Sequence, residues 1–373
     1  MLVDSLINSD LKFICQTLRV ARRGYGRTSP NPMVGAVLVK NGKVIGQGWH
    51  HRAGEPHGEI EAIRDAQRWG NSIRGATLYV SLEPCCTHGR TPPCTEAILA
   101  AGIKRVVVAA QDPNPAHAGK GLKILRKAGV VVTVGLLADE ATELNEAFNQ
   151  WIVHRTPFVT VKAAMSLDGK IATVAGESKW ITGEKARAYG MNLRIGADAI
   201  LVGVNTVVKD NPRLTIRDLK FKGKLLRRII LDPNARTPLK SNIISEDPSG
   251  LTTIIVTKAA PKKRVVALQR QVNVIVAPTQ RGKINLRWLL KKLGRENVTS
   301  LLVEGGGETN ASFLLSGLAH RIAFFYAPMV IGGRTAPKGV AGEGITRLAD
   351  KITMRDVVWK RLGPDLLLTA RLK

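Results

Sequence analysis

At 373 residues the chain exceeds the usual size of one domain, and its 44% hydrophobic content with scattered Gly and Pro is that of a chain that buries a core, not of a disordered one. No apolar run approaches the ~18 residues that argue a membrane span, and the acid-bearing start MLVDSLINSD reads as no signal peptide. The net charge of +27 is uneven, with 18 Lys/Arg against 13 Asp/Glu in residues 1–150 and 38 against 16 beyond, so it is either a solvated basic surface or an attractor of phosphate, in nucleic acid or in small ligands.

In chain order, Ser9 is placed to cap a helix whose apolar positions Leu11, Ile14, Leu18 and Ala21 recur at helical spacing and which ends near Gly24. VGAVLV, Asn41-Gly42 and KVIGQGW predict a β-hairpin. There follow a helix GEIEAIRDAQRW, a strand ATLYVSL, a helix PCTEAILAAG, a strand KRVVVAA, a helix GLKILRKAG and a strand VVVTVGL. This alternation predicts an α/β domain with a layered sheet. A helix through ADEATELNEAFNQWIVHR runs toward Thr156-Pro157, where the proline disfavours continuation. A domain boundary is therefore expected near 149–156, with domains over 1–148 and 157–373. The second α/β run has strands at FVTVKAAMSL, ADAILVGV, RRIILD, LTTIIVT, VNVIVA, SLLVEG and RIAFFYAPMV.

Three of the four cysteines, Cys85, Cys86 and Cys94, lie within ten residues. This favours a metal or catalytic role in a reducing compartment, hence a cytoplasmic protein, over a disulfide framework. The stretch LEPCCTHGRTPPC follows an upstream His57-Gly58-Glu59. Imidazole and thiolate form a zinc donor set, and His57, Cys85 and Cys94 supply three ligands, leaving the fourth position of a catalytic site for water. Pro84 and Pro93 precede the two cysteines and favour helix starts after them, where a thiolate is stabilised by exposed N–H groups. Glu59, at the mouth of its helix, can take a proton from activated water and return it to a ring nitrogen and a leaving amine, as in zinc deaminases. Cys86 reads as a bystander.

NPMVGAVLV, GEPHGEIEAI, LEPCCTHGRTPPC and QDPNP resemble, in order and spacing, the cytidine-deaminase superfamily and within it the bacterial bifunctional riboflavin-biosynthesis deaminase/reductases. Eight residues separate Cys85 from Cys94, unlike the P-C-x-x-C of nucleic-acid deaminases. The resemblance implies zinc on His57, Cys85 and Cys94, Glu59 as proton shuttle, Asn31 and His50 against the pyrimidine, and Arg90 against its phosphoribosyl part. Asn31 equally fits a turn before Pro32. The family usually has Ala where this chain has Gly58, and Ser-His where it has Cys86-Thr87; His88 is a candidate to compensate.

No G-x-G-x-x-G opens a helix after a strand, so no Rossmann domain is signalled. SLLVEGGGETNASFLLSG instead runs from strand through three glycines to a helix, which suits phosphate or simply a tight turn. SLDGK, GESKWIT and VNTVVKDNPRLTIR resemble the reductase half of the same family, a dihydrofolate-reductase-like fold. The match is poorest around 218–300. The resemblance implies NADPH along Ala164, Trp180, Thr206, Asp210, Gly306, Gly307, Glu308, Thr309, Asn310, Ala311 and Ser312. It implies the substrate along Lys162, Ser178, Arg194, Leu214, Arg217 and Glu304. Each Arg could instead serve a surface ion pair, and Asp168 reads as a turn stabiliser.

The expectation is thus an α/β chain with an N-terminal cytidine-deaminase-like α/β/α layered domain and a C-terminal dihydrofolate-reductase-like α/β domain. It would deaminate a diaminopyrimidinone ribosyl phosphate with zinc, then reduce the ribosyl chain to ribityl with NADPH. A phosphorylated pyrimidine is the expected partner, without nucleic acid or membrane; self-association as a homo-oligomer fits as well. The competing reading is a nucleic-acid base deaminase with a basic RNA-binding domain. The scarcity of aromatic residues, 5% of the chain, argues against the base stacking this requires.

Overall fold

The computed structural model describes residues 2–89, 92–221, 223–247 and 250–373. The chain forms two compact units, Met1–Arg155 and Thr156–Lys373. Among the described residues, no helix is long and apolar enough to cross a membrane.

The first unit is built on β1 (Gly35–Lys40), β2 (Lys43–Trp49), β3 (Thr77–Leu82), β4 (Arg105–Ala110) and β5 (Val131–Val134), in the order β2-β1-β3-β4-β5. β1 pairs antiparallel with β2 and β3, while β3, β4 and β5 run parallel. The predicted hairpin turn is present, with Asn41 and Gly42 both at positive φ (51° and 71°), as a two-residue turn of this hand requires. The first helix, Leu2–Ala21, begins well before Ser9, which lies inside it. Its Ile14 and Leu18 enter the core beside Val37, Leu38, Leu78, Val107 and Leu125. Asp10 fastens this helix to the sheet: it accepts from Tyr79 Oη at 2.7 Å and from Arg105 Nη1 at 2.8 Å.

The single helix expected across 138–155 is two, Ala138–Leu144 and Glu146–His154. Asn145 breaks it because its amide is used elsewhere: Oδ1 accepts from Met33 N at 2.8 Å and Nδ2 donates to Met33 O at 2.9 Å. A buried amide that satisfies a distant backbone pair outweighs one helical hydrogen bond.

The second unit is built on β6 (Phe158–Ser166), β7 (Ala199–Gly203), β8 (Arg227–Leu231), β9 (Thr252–Val256), β10 (Asn273–Val276), a small hairpin of β11 (Thr279–Gln280) and β12 (Lys283–Ile284), then β13 (Ser300–Val303), β14 (Arg321–Ala327), β15 (Met354–Leu362) and β16 (Asp365–Leu372). The main sheet has the order β10-β9-β8-β7-β13-β6-β14-β16-β15, parallel from β10 to β14 and antiparallel beyond. The central strands are apolar runs, as a sheet covered on both faces requires. The pair β15–β16 was not foreseen. Every residue of β15 but Leu362 is exposed, so it lacks the alternation that marks a half-buried strand; Gly363-Pro364 at its turn was the available signal.

Gly58 opens the helix Gly58–Arg68, and His57 is its N-cap. A Cβ built on Gly58 would lie 2.7 Å from Val34 O and 3.2 Å from Val34 C. This backbone cannot swing aside as a side chain can. Alanine is intrinsically the better helix residue by about 1 kcal/mol, but overpacking against backbone costs about 1–3 kcal/mol. Gly58→Ala is therefore expected to destabilise the first unit and to lower zinc content by displacing His57. Urea unfolding and metal analysis check this; a variant as stable and as metal-loaded as the parent removes the packing argument.

Candidate functional sites in the two units

In the first unit, His57 Nδ1 lies 3.4 Å from Cys85 Sγ and 3.3 Å from Cys94 Sγ. The three ligand atoms all lie within 4.8 Å of one another. His57 comes from the start of one helix and Cys94 from the start of another, Cys94–Ala100. Cys85 does not begin a helix, contrary to the reading of Pro84: it sits in the loop after β3, and its sulfur accepts from Cys94 N at 3.3 Å. The helix start that stabilises this thiolate is thus that of Cys94. A hydrogen bond from the Cys94 thiol, burial notwithstanding, draws the Cys85 thiol down to about 4, while Cys94 is held high by the same bond. His57 is raised, first by its hydrogen bond to Cys85. One imidazole and two sulfurs around one point, with a thiolate favoured, suit a soft or borderline cation such as zinc.

Glu59 is 2% exposed, and its Oε2 has no hydrogen-bond partner among the described residues. Burial raises its carboxyl to about 7 against the opposing charge of His57. A buried, unpartnered carboxylate oxygen is costly unless something occupies the space it faces.

His50 and Asn31 form a pair. His50 Nδ1 is 3.0 Å from Pro56 O and Nε2 is 3.0 Å from Asn31 Nδ2. A carbonyl only accepts, so Nδ1 carries the proton and Nε2 accepts from the Asn31 amide. Both ring nitrogens of His50 are therefore engaged within the protein, and the Asn31 oxygen and second N–H have no hydrogen-bond partner among the described residues. His88 lies on the surface, 3.5 Å from Glu96. The expected contact from Arg90 lies outside the described residues.

Sequence reasoning missed Glu83. Its Oε2 accepts from Asp112 N at 3.3 Å and Gly119 N at 2.9 Å and its Oε1 from Gly121 N at 2.9 Å, which ties the QDPNP loop and the helix start after it to the strand end that leads to Cys85. Its place two residues before Cys85 was the only clue.

In the second unit a cavity of about 1130 Å³ opens along the ends of the parallel strands. Of the residues expected to bind cofactor, Thr206, Asp210, Gly306, Gly307, Glu308, Thr309, Ala311 and Ser312 line it, and so does Ser178 from the substrate set. Ser178 Oγ lies 3.4 Å from Asp210 Oδ1. Gly306 caps the helix Gly307–Leu315, and a Cβ on Gly307 would meet Lys338 O at 2.3 Å. Asn310, by contrast, is buried and donates to Gly339 O at 2.8 Å, so its side chain anchors the neighbouring loop. Trp180 is 65% exposed with Arg187 stacked at 4.7 Å, and Ala164 packs toward Phe325; neither lines the cavity.

Glu304, just past β13, is the centre of a second cluster. Arg194 donates to it in bidentate fashion, Nε to Oε1 and Nη2 to Oε2, each at 2.8 Å. Lys162 Nζ lies 3.7 Å away. Burial alone would raise the Glu304 carboxyl, but the charges of Arg194 and Lys162 overcome this and hold it at about 2. Arg194 was expected along the substrate or in an ion pair; its guanidinium is paired with Glu304, because a buried carboxylate needs a paired, hydrogen-bonded cation. Leu214, also expected along the substrate, follows the helix after β7. Its side chain is core, 5% exposed among Ile200, Val202 and Ile230, and its φ is 53°, so only its backbone can face a ligand. Arg217 is exposed. Asp168 accepts from Ser166 Oγ at 2.5 Å and Gly332 N at 2.7 Å, the turn-holding role expected of it.

With this geometry in hand, comparison with known proteins is specific. Residues 7–110 match the cytidine and deoxycytidylate deaminase zinc-binding region, and residues 157–368 match the RibD C-terminal domain. The chain is 43% identical to the riboflavin biosynthesis protein RibD of Aquifex aeolicus (strain VF5), across 96% of this chain and 97% of that protein. It is 36% identical to the Escherichia coli (strain K12) protein of the same name, across 96% and 98%. Among solved structures it superposes on Acinetobacter baumannii RibD with a TM-score of 0.85 at 34% identity, covering 98% of this chain and 99% of that one. A Thermotoga maritima diaminohydroxyphosphoribosylaminopyrimidine deaminase/5-amino-6-(5-phosphoribosylamino)uracil reductase gives 0.83 at 34% identity over the same shares. The chain therefore belongs to the RibD family of bifunctional riboflavin-biosynthesis enzymes, with its deaminase in the N-terminal half and its reductase in the C-terminal half.

Proposed function

We propose that the first unit hydrolyses the exocyclic amine of 2,5-diamino-6-(5-phosphoribosylamino)pyrimidin-4-one, and that the second reduces the ribosyl chain of the product to ribityl with NADPH. The carrying observation is the convergence of His57, Cys85 and Cys94 beside the unpartnered oxygen of buried Glu59. Zinc held by those three residues supplies Lewis acidity that brings the pKa of water near about 7. Glu59 would carry the first proton of the attacking water to the ring nitrogen, which keeps it, and the second, from the hydroxyl then attached to the ring carbon, to the amine, which leaves as ammonia. Burial suits it to this exchange, because a carboxyl poised near neutral pH both accepts and returns a proton. Asn31, oriented by His50, reads the pyrimidine edge.

In the reductase, NADPH supplies the hydride. The glycines at 306 and 307 and the helix they open suit the dinucleotide phosphates. Lys162 and Glu304 face the ribosyl phosphate end of the substrate, with Arg194 holding Glu304 in place and Arg217 exposed for phosphate. Thiolate ligands require a reducing compartment, which supports a cytoplasmic setting. The RNA-binding alternative is not favoured: the basic half is the half that matches the RibD C-terminal domain, at residues 157–368. A second copy of the chain is the proposed macromolecular partner, at the exposed edge strand β15 with its Val357, Val358 and Trp359. Light scattering should show a dimer that Trp359→Lys dissociates; a monomeric parent would remove this part of the proposal.

Glu59→Gln is expected to lower ammonia release by roughly 10²–10⁴-fold with zinc content unchanged. Chelation should silence ammonia release while the circular dichroism of the chain and its NADPH oxidation on supplied deaminated substrate persist. Unfolding on chelation would instead assign the zinc a structural role.

Glu304→Gln removes one partner of a buried charge pair, and about 3–5 kcal/mol of stability is expected to go with it, together with reductase activity. The pH dependence has a definite sign. A carboxyl held below its usual value of 4.5 at about 2 contributes stability that is complete above 4.5 and is lost as pH falls toward 2. Acid unfolding of the second unit should steepen across that window and flatten in the variant; identical acid profiles would refute the assignment.

A further inference from the structure

The dinucleotide cavity carries an asymmetry that neither the glycine-rich turn nor the substrate cluster uses. It is lined by six basic side chains, among them Arg236, Arg281, Lys283 and Arg287, and by three acids, Asp210, Glu308 and Glu343. The acids lie toward the glycine-rich end. Glu308 is in the first turn of the helix that Gly306 caps, and it accepts from Gly342 N at 3.1 Å, next to Glu343. Asp210 is beside Ser178.

The four named bases come from other parts of the lining, while the remaining two, Lys209 and Lys338, adjoin Asp210 and the glycine-rich turn. Arg236 follows β8, Arg281 and Lys283 belong to the hairpin that follows β10, and Arg287 begins the next helix, Leu286–Arg295. None of the four forms a salt bridge among the described residues. Arg236 is braced by Asn205 Oδ1 at 2.6 Å and Arg287 by Ser316 O at 3.2 Å, both neutral. Arg281 and Lys283 are exposed and have no hydrogen-bond partner for their side chains among the described residues. Their positions are nonetheless fixed by a two-residue turn, Arg281 and Gly282, with φ of 50° and 74°. Basic side chains that share one cavity lining without counter-charge favour an anion there.

The strand order says which anion. Glu304, at the substrate cluster, follows β13, and from there β7, β8, β9 and β10 succeed one another across the sheet. Four strand steps at ~4.8 Å each span roughly 19 Å. A dinucleotide whose nicotinamide reaches the substrate and whose diphosphate meets the glycine-rich helix start must lay its adenosine toward β8 and the hairpin. The phosphate group that distinguishes NADPH from NADH sits on that adenosine ribose.

We infer that Arg281 and Lys283, supported by Arg236 and Arg287, form a clamp for the adenosine 2′-phosphate and so set the choice of NADPH over NADH. This rests on the proposed reductase reading, and the test separates the two. The full chain is titrated with NADPH, NADH, adenosine 2′,5′-bisphosphate and AMP by calorimetry. The parent is compared with Arg281→Asn, which tolerates the positive φ, with Lys283→Gln, and with the double variant. The parent should prefer NADPH to NADH and the bisphosphate to AMP. Each substitution should weaken NADPH and the bisphosphate by about tenfold, leave NADH and AMP within about twofold, and reduce the salt dependence of NADPH binding alone. Equal weakening of NADPH and NADH would place these residues on the diphosphate and overturn the clamp while sparing the reductase reading. Unchanged NADPH affinity in the double variant overturns it as well. Failure of the parent to bind either dinucleotide would overturn the reductase reading and the clamp with it.

Discussion

Everything in the first unit depends on how closely backbone approaches backbone between Val34 and Gly58. The carbonyl of Val34 lies where a side chain on Gly58 would be, and it also accepts from His50 N at 2.8 Å. One carbonyl thus fixes the start of the helix that aims His57 and the residue that orients Asn31. Met33, one position upstream, is clasped at both N–H and C=O by Asn145. His57, Asn31 and the histidine that Asn31 bonds are tied to the same short segment. Close packing of this kind transmits small displacements rather than absorbing them, so the absence of one methyl group at Gly58 has consequences for chemistry.

In the second unit the organising constraint is electrostatic. Glu304 is buried at the end of a central strand, where an unpaired carboxylate would be intolerable. Arg194 answers it with two parallel hydrogen bonds, and Lys162 adds a looser contact. The difference between the two cations matters. The planar guanidinium is locked in place, whereas the ammonium at 3.7 Å retains donors for another acceptor. Both were expected along the substrate; the structure separates them, with Arg194 committed to Glu304 and Lys162 the looser partner.

What was legible in the sequence was whatever local chemistry dictates. His57, Glu59, Cys85 and Cys94 stood out because few roles need those donors in that order, and the hairpin at Asn41-Gly42 because only certain residues accept its backbone. The strand and helix alternation followed from periodicity. What was not legible depends on contacts distant in sequence. Asn145 breaks a helix on behalf of Met33, 112 positions away. Asp10 answers Arg105 across 95 positions. Glu83 passed unnoticed in the sequence, and it anchors Asp112 and Gly121, 29 and 38 positions away. The strand β15 has no buried face, so no periodicity existed to detect. The basic residues at 236, 281, 283 and 287 fell in the stretch of poorest resemblance, where only their charge was visible and not the cavity that collects them.

The two halves reach unrelated chemistries by one device. In the first, the N–H at the start of the helix Cys94–Ala100 points at the sulfur of Cys85. In the second, the helix Gly307–Leu315 opens at the rim of the cavity from a residue with no side chain. A helix start offers donors that its own turn cannot use, and an anion placed there is favoured by those donors and by the helix dipole. In one case the anion is a thiolate that belongs to the protein; in the proposed reading of the other it is the diphosphate of a cofactor. This also accounts for where side-chain charge is needed and where it is not. The thiolate is served by backbone, and the first half needs little excess charge. A dinucleotide carrying an additional phosphate extends beyond the reach of one helix start, and the surplus must come from Lys and Arg elsewhere in the cavity lining.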